Sequence, residues 1–158
     1  MSIGVRFMRE GQEDVVAAML RALPKELGLA VVPKVTGASL RENKGFVHVM
    51  VAEDSGLLLG ACLWVMTYSS WRGGKGVYIG DLYVMGHARG KKIGEKLLRG
   101  TVREAAKLGA CFVKLEVDHN NTAAQRFYER LGFVYKASDM FHVLEPENFE
   151  NVLKGEMK

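Results

Sequence analysis

The chain has 158 residues, a length typical of one domain built around a single hydrophobic core. Apolar residues make up 48% of it and charged residues 25%, as in ordinary soluble globular proteins, with no low-complexity tract and no internal repeat. No apolar run approaches the roughly 20 residues that cross a bilayer, which excludes a membrane-spanning helix.

The positive charge of the chain is concentrated in one stretch. The formal net charge is +4, and seven of the 22 basic residues fall within the 19 positions 89–107. Such a cluster at the start of a helix favours a compact polyanion over a long duplex, so we expect no nucleic-acid partner. A nucleic-acid binder remains the alternative suggested by the pI near 9.1, although the basic residues lack interleaved aromatic ones.

The start of the chain and its two cysteines bear on compartment and metal content. Residues 1–6 lack the apolar centre and cleavage site of a signal peptide, so we expect a cytoplasmic protein. Cys62 and Cys111 lie in apolar segments, and we expect both thiols to be buried and reduced. Neither has a histidine or an acid nearby at metal-ligand spacing, so we predict no metal site.

The chain begins with a strand pattern and then changes to a helix pattern. Residues 5–8 predict a strand, and residues 12–14 open an amphipathic helix. Its apolar residues at helical spacing are Val15, Val16, Met19, Leu20 and Leu23. Residues 29–44 are poorly patterned, and we expect a short helix between loops there.

Three strands are predicted next, joined by turns. Alternating valines at 47–51 indicate a half-buried strand. A turn at 53–56 leads into residues 57–68, an almost wholly apolar run that predicts a central strand covered on both faces. A second turn, at 72–76, leads into the strand 77–85.

The last third of the chain alternates between helix and strand patterns. Apolar residues from Ile93 to Ala106 predict a helix that ends at Leu108, with Gly109 as its left-handed C-terminal residue. The remaining elements are a strand at 111–117 with one apolar face, a helix at 121–131 ended by Gly132, a strand at 134–144 and a short helix around Phe149 to Leu153.

These elements predict an α+β fold in α/β/α layers, formed by one domain over residues 1–158. The unit of strand 77–85, helix and strand 111–117 implies one parallel pair of strands. The other strands are joined by hairpins, so we expect a mixed, mostly antiparallel sheet of about 6–7 strands with helices on both faces.

The loop between strand 77–85 and the following helix has the composition of an anion site. Residues 89–94 read Arg-Gly-Lys-Lys-Ile-Gly. Free N–H groups at a helix start, glycines that permit close approach and basic side chains all favour a phosphate or pyrophosphate. By itself this pattern also fits a solvated turn, and it matches neither a Walker loop nor a dinucleotide fingerprint.

A second segment, residues 117–133, supports a functional interpretation of that loop. Together the two blocks resemble the GNAT superfamily of N-acetyltransferases, through its Arg/Gln-x-x-Gly-x-Gly/Ala loop and its Asn-x-x-Ala-x-x-x-Tyr-x-x-x-Gly-Phe segment. Residues 67–73 and 77–85 are similar to the branch of spermidine/spermine and thialysine N-acetyltransferases. The resemblance is good from about Gly60 to Phe133 and looser elsewhere.

The resemblance implies acetyl-CoA as cosubstrate, a homodimer and a set of cofactor contacts. The positions that match the family's pantetheine, pyrophosphate and further CoA contacts are Leu82, Tyr83, Val84, Arg89, Gly90, Lys91, Lys92, Ile93, Gly94, Glu95, Asn121, Thr122, Ala123 and Ala124. It also implies Tyr128 as the general acid. Asn121 is equally suited to cap its helix, and these two roles are compatible.

Two positions depart from the family pattern. Lys92 stands where the family usually has glycine, and a positive φ there would cost lysine about 1 kcal/mol or more. Gly80 stands where the polyamine enzymes have a glutamate that contacts substrate. The absence of that glutamate leaves both the base and the acceptor open.

The chemistry of amine acetylation singles out a few side chains. An alkyl amine is protonated at neutral pH and must lose a proton before it attacks, and the departing thiolate must gain one. We predict Tyr128 as the proton donor and Asp81, acting through water, as the base, with Val84 N–H polarising the carbonyl. Asp81 lies in an otherwise apolar strand, where a structural hydrogen-bond acceptor near an irregularity at Gly80 is an equal alternative.

Substrate contacts are predicted for Trp71, Asp81 and Glu116, although an ion pair with Lys114 is the simpler role for Glu116. The leading function is therefore acetyl transfer from acetyl-CoA to a primary amine of a small molecule by direct attack in a ternary complex. The acceptor would be a polyamine, a thialysine-like amino acid or another amino compound. A monoamine or amino acid fits better than a polyamine, because residues 30–34, the loop expected to line the acceptor site, are apolar and basic. Protein N-terminal or lysine acetylation and a non-catalytic acyl-CoA sensor remain alternatives.

Overall fold

The computed structural model describes residues 2–154, which form two compact units divided after Asp118. The prediction of one domain over residues 1–158 stays a prediction. Among the described residues, no helix has both the length and the apolar character needed to span a membrane.

The first unit contains five strands and three helices of the described chain. In chain order they are β1 (Gly4–Phe7), α1 (Glu13–Glu26), α2 (Gly37–Glu42), β2 (His48–Asp54), β3 (Leu57–Ser69), β4 (Gly74–Val84), α3 (Ile93–Lys107) and β5 (Val113–Leu115). The strands lie in the order β1-β2-β3-β4-β5, antiparallel except for the parallel pair of β4 and β5. The mixed sheet with one parallel pair is thereby confirmed.

Local signals in the sequence explain where these elements begin and end. The β2–β3 hairpin turns through Ser55 and Gly56 with φ of 51° and 86°, the two successive positive values of a tight hairpin turn. Helix α3 ends at the predicted place, where Gly109 adopts φ 91°. Thr36 and Ser39 form a capping box that starts α2.

Helices cover both faces of the sheet in the first unit. Val16, Ala17 and Leu20 of α1 pack in one core cluster with Val49 and Val51 of β2. On the opposite face, α3 approaches the sheet closely at Gly100, where an added Cβ would meet the side chain of Val5 at 2.6 Å. Since Val49, Met50, Val51 and Ala52 are all buried, β2 is covered on both sides, and the expectation of a half-buried strand was wrong.

The second unit contains two short helices, α4 (Thr122–Arg130) and α5 (Phe149–Leu153). Asn121 caps α4 by accepting a hydrogen bond from the Ala124 N–H at 3.1 Å. Gly132 follows α4 with φ 97°, as its C-terminal glycine. Both helices lie where the sequence predicts them.

Five strands in the described chain replace the predicted 6–7. Residues 134–144 form no strand because a turn, closed by the Asp139 N–H to Lys136 O bond of 3.3 Å, divides the segment. In addition, residues 119–154, the described part of its unit, contain no strand for pairing. The strand expected at 111–117 shortens to β5, since pairing with β4 covers only Val113–Leu115. Cys62 is buried as predicted, with a pKa raised by burial to about 12, but Cys111 is exposed.

Candidate functional site

A bulge at Gly80 organises the carboxyl half of β4. Leu63 pairs with Asp81 and Trp64 with Ile79, so Gly80 is the extra residue on β4, the irregularity named in the structural alternative for Asp81. Without it, side-chain alternation would place Tyr78 and Asp81 on opposite faces of the sheet. With it, both lie on the face that bears Tyr83 and packs against α1.

Beyond the bulge, β4 has an edge that is not paired with β5. Pairing of β4 with β5 stops at Ile79 and Leu115, whereas pairing with β3 continues to Val84. Met85 N–H donates to Leu59 O at 2.9 Å, so by alternation the N–H groups of Leu82 and Val84 point away from β3. Within the first unit this edge therefore presents the main-chain donors of two residues predicted to hold an extended ligand.

Asp81 and Glu116 lie close to Tyr78 at the point where β4 and β5 separate. The Tyr78 hydroxyl donates to Glu116 Oε1 at 3.0 Å, so the partner of Glu116 is Tyr78 and not Lys114. Burial raises the pKa of Asp81 above its ordinary value. Burial also raises the pKa of Tyr78, with further contributions from Glu116 and from the negative charge of Asp81. The region thus combines one half-buried carboxylate with a second that a tyrosine holds in place.

The loop after β4 leads from this edge to the start of α3. A short 3₁₀ turn, Gly86–Ala88, precedes Arg89, and Gly90 and Lys92 both adopt positive φ, 86° and 59°. Lys92 is the N-cap of α3, and its side chain accepts no hydrogen bond from the first-turn amides. Main-chain N–H groups that follow left-handed residues and open a helix are well suited to an anion.

The left-handed conformation of Lys92 predicts a measurable strain. Lys92→Gly removes a cost of about 1–2 kcal/mol but adds the entropy of a glycine to the unfolded chain. Lys91→Gly is a matched control, because Lys91 is not among the described residues with positive φ. Its replacement by glycine adds the same entropy to the unfolded chain but relieves no backbone strain. We expect the free energy of unfolding of Lys92→Gly to exceed that of Lys91→Gly by about 1–2 kcal/mol in urea. Equal values would show that the position carries no strain.

Several charged residues of the loop and α3 already have partners. Arg89 forms an ion pair with Glu26 at the end of α1, and Arg99 pairs with Glu95 at 3.3 Å. The Tyr83 hydroxyl donates to Glu26 Oε1 at 2.9 Å, and Arg89 Nε donates to Val84 O at 3.4 Å. The Arg89 side chain therefore reaches the open edge of β4.

The other predicted site residues lie in two different places. Asn121 and Tyr128 belong to the second unit, where the Tyr128 ring makes edge contacts with Phe127 and Phe133 at centroid distances of 5.1 Å and 5.3 Å. Trp71 is 98% exposed in the β3–β4 hairpin. The strand from Gly74 to Asp81 spans about 23 Å, so the first unit does not bring Trp71 to Asp81.

Two residues of the site were not anticipated from the sequence. The sequence offers little indication of Tyr78, because regular alternation would place it on the face of the sheet opposite Asp81. The bulge at Gly80 puts the two side chains on the same face. The sequence offers no indication of Glu26, because it contacts Arg89 from 63 positions away. An open strand edge that continues into an uncapped helix start has the features that suit an extended ligand ending in phosphate groups.

Comparison with known proteins assigns the chain to a family. The model of the acetyltransferase (GNAT) family matches residues 14–133, so the chain belongs to that family and is an acyltransferase. It is 30% identical to thialysine N-epsilon-acetyltransferase of Mus musculus over 143 residues, covering 83% of this chain and 84% of that protein.

Two further comparisons bear on substrate and fold. The chain is 32% identical over 80 residues to a D-amino-acid N-acetyltransferase of Saccharomyces cerevisiae, 51% of this chain and 50% of that one. An integron cassette protein from the mobile metagenome of V. cholerae has a similar structure, with a TM-score of 0.77, 19% identity and coverage of 98% and 99% of the two chains. The latter likeness supports the fold alone.

Proposed function

We propose that this chain transfers the acetyl group of acetyl-CoA to a primary amine of a small molecule, a monoamine or an amino acid. The observation that carries the proposal is the open edge of β4 that runs into the loop and helix start of residues 89–95, with Asp81 beside it. Because the first half of this arrangement suits an extended amide-bearing arm and the second a pyrophosphate, their continuity fits a CoA thioester.

The residues present suit each part of such a cosubstrate. Leu82 and Val84 offer main-chain donors at the open edge, next to Tyr83. The amides of residues 90–95 and the ammonium groups of Lys91 and Lys92 are suited to the pyrophosphate. When bound, acetyl-CoA supplies an acetyl group already activated as a thioester.

Groups of the chain itself would accept the proton of the amine and donate a proton to the leaving thiolate. Asp81 takes the proton of the ammonium substrate through a water molecule, which leaves a lone pair for attack. The Val84 N–H donates to the carbonyl oxygen, where negative charge develops. A C–N bond forms and the nitrogen loses its second proton to solvent. The C–S bond breaks, and Tyr128 delivers a proton to the sulfur and regains one from solvent. Both substrates are held together, with no covalent enzyme species.

The acceptor is inferred from charge and from the relatives. Gly80 provides no carboxylate. Residues 30–34, the loop expected from the sequence to line the acceptor site, are apolar and basic, and such a lining disfavours a polycation. Glu116, held by Tyr78, and Asp81 provide a limited negative surface for one ammonium group. The relatives named for thialysine and D-amino acids support an amino acid as acceptor. A homodimeric assembly, measurable by light scattering, belongs to the same proposal.

The proposal is tested with a thiol-release assay on a panel of amines. Purified protein is mixed with acetyl-CoA and with monoamines, amino acids, polyamines or a peptide N-terminus. We expect CoA release with monoamines or amino acids. Release with peptides alone would instead favour a protein acetyltransferase. Binding of acetyl-CoA without release on any amine would favour a sensor.

Gly80 offers a test of acceptor selectivity. An added Cβ would lie 3.3 Å from Leu63 Cδ2, the end of a flexible side chain, so a larger residue fits with a small shift. We expect Gly80→Glu to raise kcat/KM for a diamine relative to a monoamine about five- to tenfold, by adding one ion pair near the half-buried Asp81. Gly80→Gln, of the same size but uncharged, is the control. Equal shifts in both variants would show that charge at residue 80 does not select the acceptor.

A further inference from the structure

Arg89 has two partners that lie outside the anion loop. Its guanidinium pairs with Glu26 Oε2 at the end of α1, and its Nε donates to Val84 O at 3.4 Å. Val84 O lies on the open edge of β4, because the N–H and C=O of one strand residue point the same way. The arginine side chain therefore covers part of the edge along which the cosubstrate is proposed to lie.

Glu26 is held in place independently of Arg89. Its other oxygen, Oε1, accepts a hydrogen bond from the hydroxyl of the buried Tyr83 at 2.9 Å. The carboxylate is thus fixed between a core tyrosine and the loop arginine. Such a held carboxylate loses less side-chain entropy on pairing than a free surface acid does, so this ion pair is stronger than an ordinary exposed one.

We propose that Glu26 sets the affinity for acetyl-CoA by holding Arg89 against the open edge of β4 until the cosubstrate displaces it. The inference rests on the proposed function. Binding of the pantetheine arm requires the Val84 main chain, and binding of the pyrophosphate offers Arg89 a more highly charged partner than one carboxylate. Both steps break the contacts of Arg89 with Glu26 and Val84, and the cost of breaking them weakens cosubstrate binding.

The test compares acetyl-CoA affinities by isothermal titration. Glu26→Gln keeps the acceptor for Tyr83 but loses the charge that holds Arg89. We expect its Kd to fall about threefold at low salt, and the advantage to shrink at 0.5 M salt, where ion pairs of exposed groups are screened. Glu104→Gln is the matched control, since Glu104 forms a similar exposed pair with Lys107 at 3.0 Å on α3.

A double-mutant cycle separates this mechanism from a simple loss of negative charge. If Glu26 acts through Arg89, then Glu26→Gln has no effect on Kd in an Arg89→Gln background. An equal gain in both backgrounds, or an equal gain from Glu104→Gln, would overturn the inference and leave the proposed function standing. An unchanged or weaker affinity of Glu26→Gln would do the same. Absence of acetyl-CoA binding in the wild type would overturn both.

Discussion

Replacement of Asp81 by asparagine is expected to lower kcat/KM for amine acetylation about 100-fold or more, the usual contribution of a general base. The two side chains have nearly the same shape, so the bulge at Gly80 and the pairing of Asp81 with Leu63 are preserved. What is lost is the carboxylate that accepts the substrate proton through water. The measurement is steady-state thiol release with the best amine of the panel.

The same variant has a characteristic pH dependence. Protonation abolishes the ability of Asp81 to accept a proton, so wild-type kcat/KM must fall as the pH drops through its pKa. Burial raises this pKa, which moves the fall to a higher pH than an ordinary aspartate would give. We expect Asp81→Asn to lack this limb of the profile while keeping the part that reflects deprotonation of the amine itself.

Controls distinguish a base from a structural acceptor at the bulge. Asp54→Asn removes a carboxylate from the end of β2, where it accepts a hydrogen bond from Ser55, and should leave turnover unchanged. If Asp81 serves only to stabilise the strand, Asp81→Asn will lower the melting temperature and keep its turnover at temperatures below melting. Unchanged melting with lost turnover identifies the base.

The elements with strong periodicity could be predicted from the sequence because each depends on its own residues. Helix α1, helix α3 and the long strand β3 needed only their apolar spacing, the left-handed Gly109 and the tight turn at residues 55–56. An irregularity near Gly80 is predicted only as part of the structural alternative for Asp81, and the pairing of β3 with β4 shows a bulge at that position.

Contacts between distant parts of the chain could not be predicted in this way. The Tyr78–Glu116 bond joins residues 38 positions apart, and it forms because the parallel register pairs Tyr78 with Lys114, whose face of the sheet Glu116 shares by alternation. The prediction of a strand at residues 134–144 was wrong because a contact that the strand would need is missing from the described part of the chain. The local sequence shows only that a segment is able to form a strand. The strand also requires a neighbouring strand edge and an unbroken extended run, and the turn at Lys136–Asp139 interrupts that run.

Replacement of Tyr128 by phenylalanine is expected to lower kcat about 100-fold, since it removes the proposed proton donor to sulfur. The ring contacts with Phe127 and Phe133 do not involve the hydroxyl, so packing within the second unit is retained. Because binding of acetyl-CoA precedes this proton transfer, we expect Kd for the cosubstrate to change little.

Changing the thioester distinguishes the acid from the base more clearly than a single mutation does. An acetyl thioester whose thiol is more acidic than that of CoA needs less help in leaving. Such a substrate should therefore restore part of the turnover of Tyr128→Phe but none of the turnover of Asp81→Asn. Tyr135→Phe removes an exposed tyrosine hydroxyl of the same unit and serves as the matched control. Equal recovery in the Asp81 and Tyr128 variants would contradict the separate roles of base and acid.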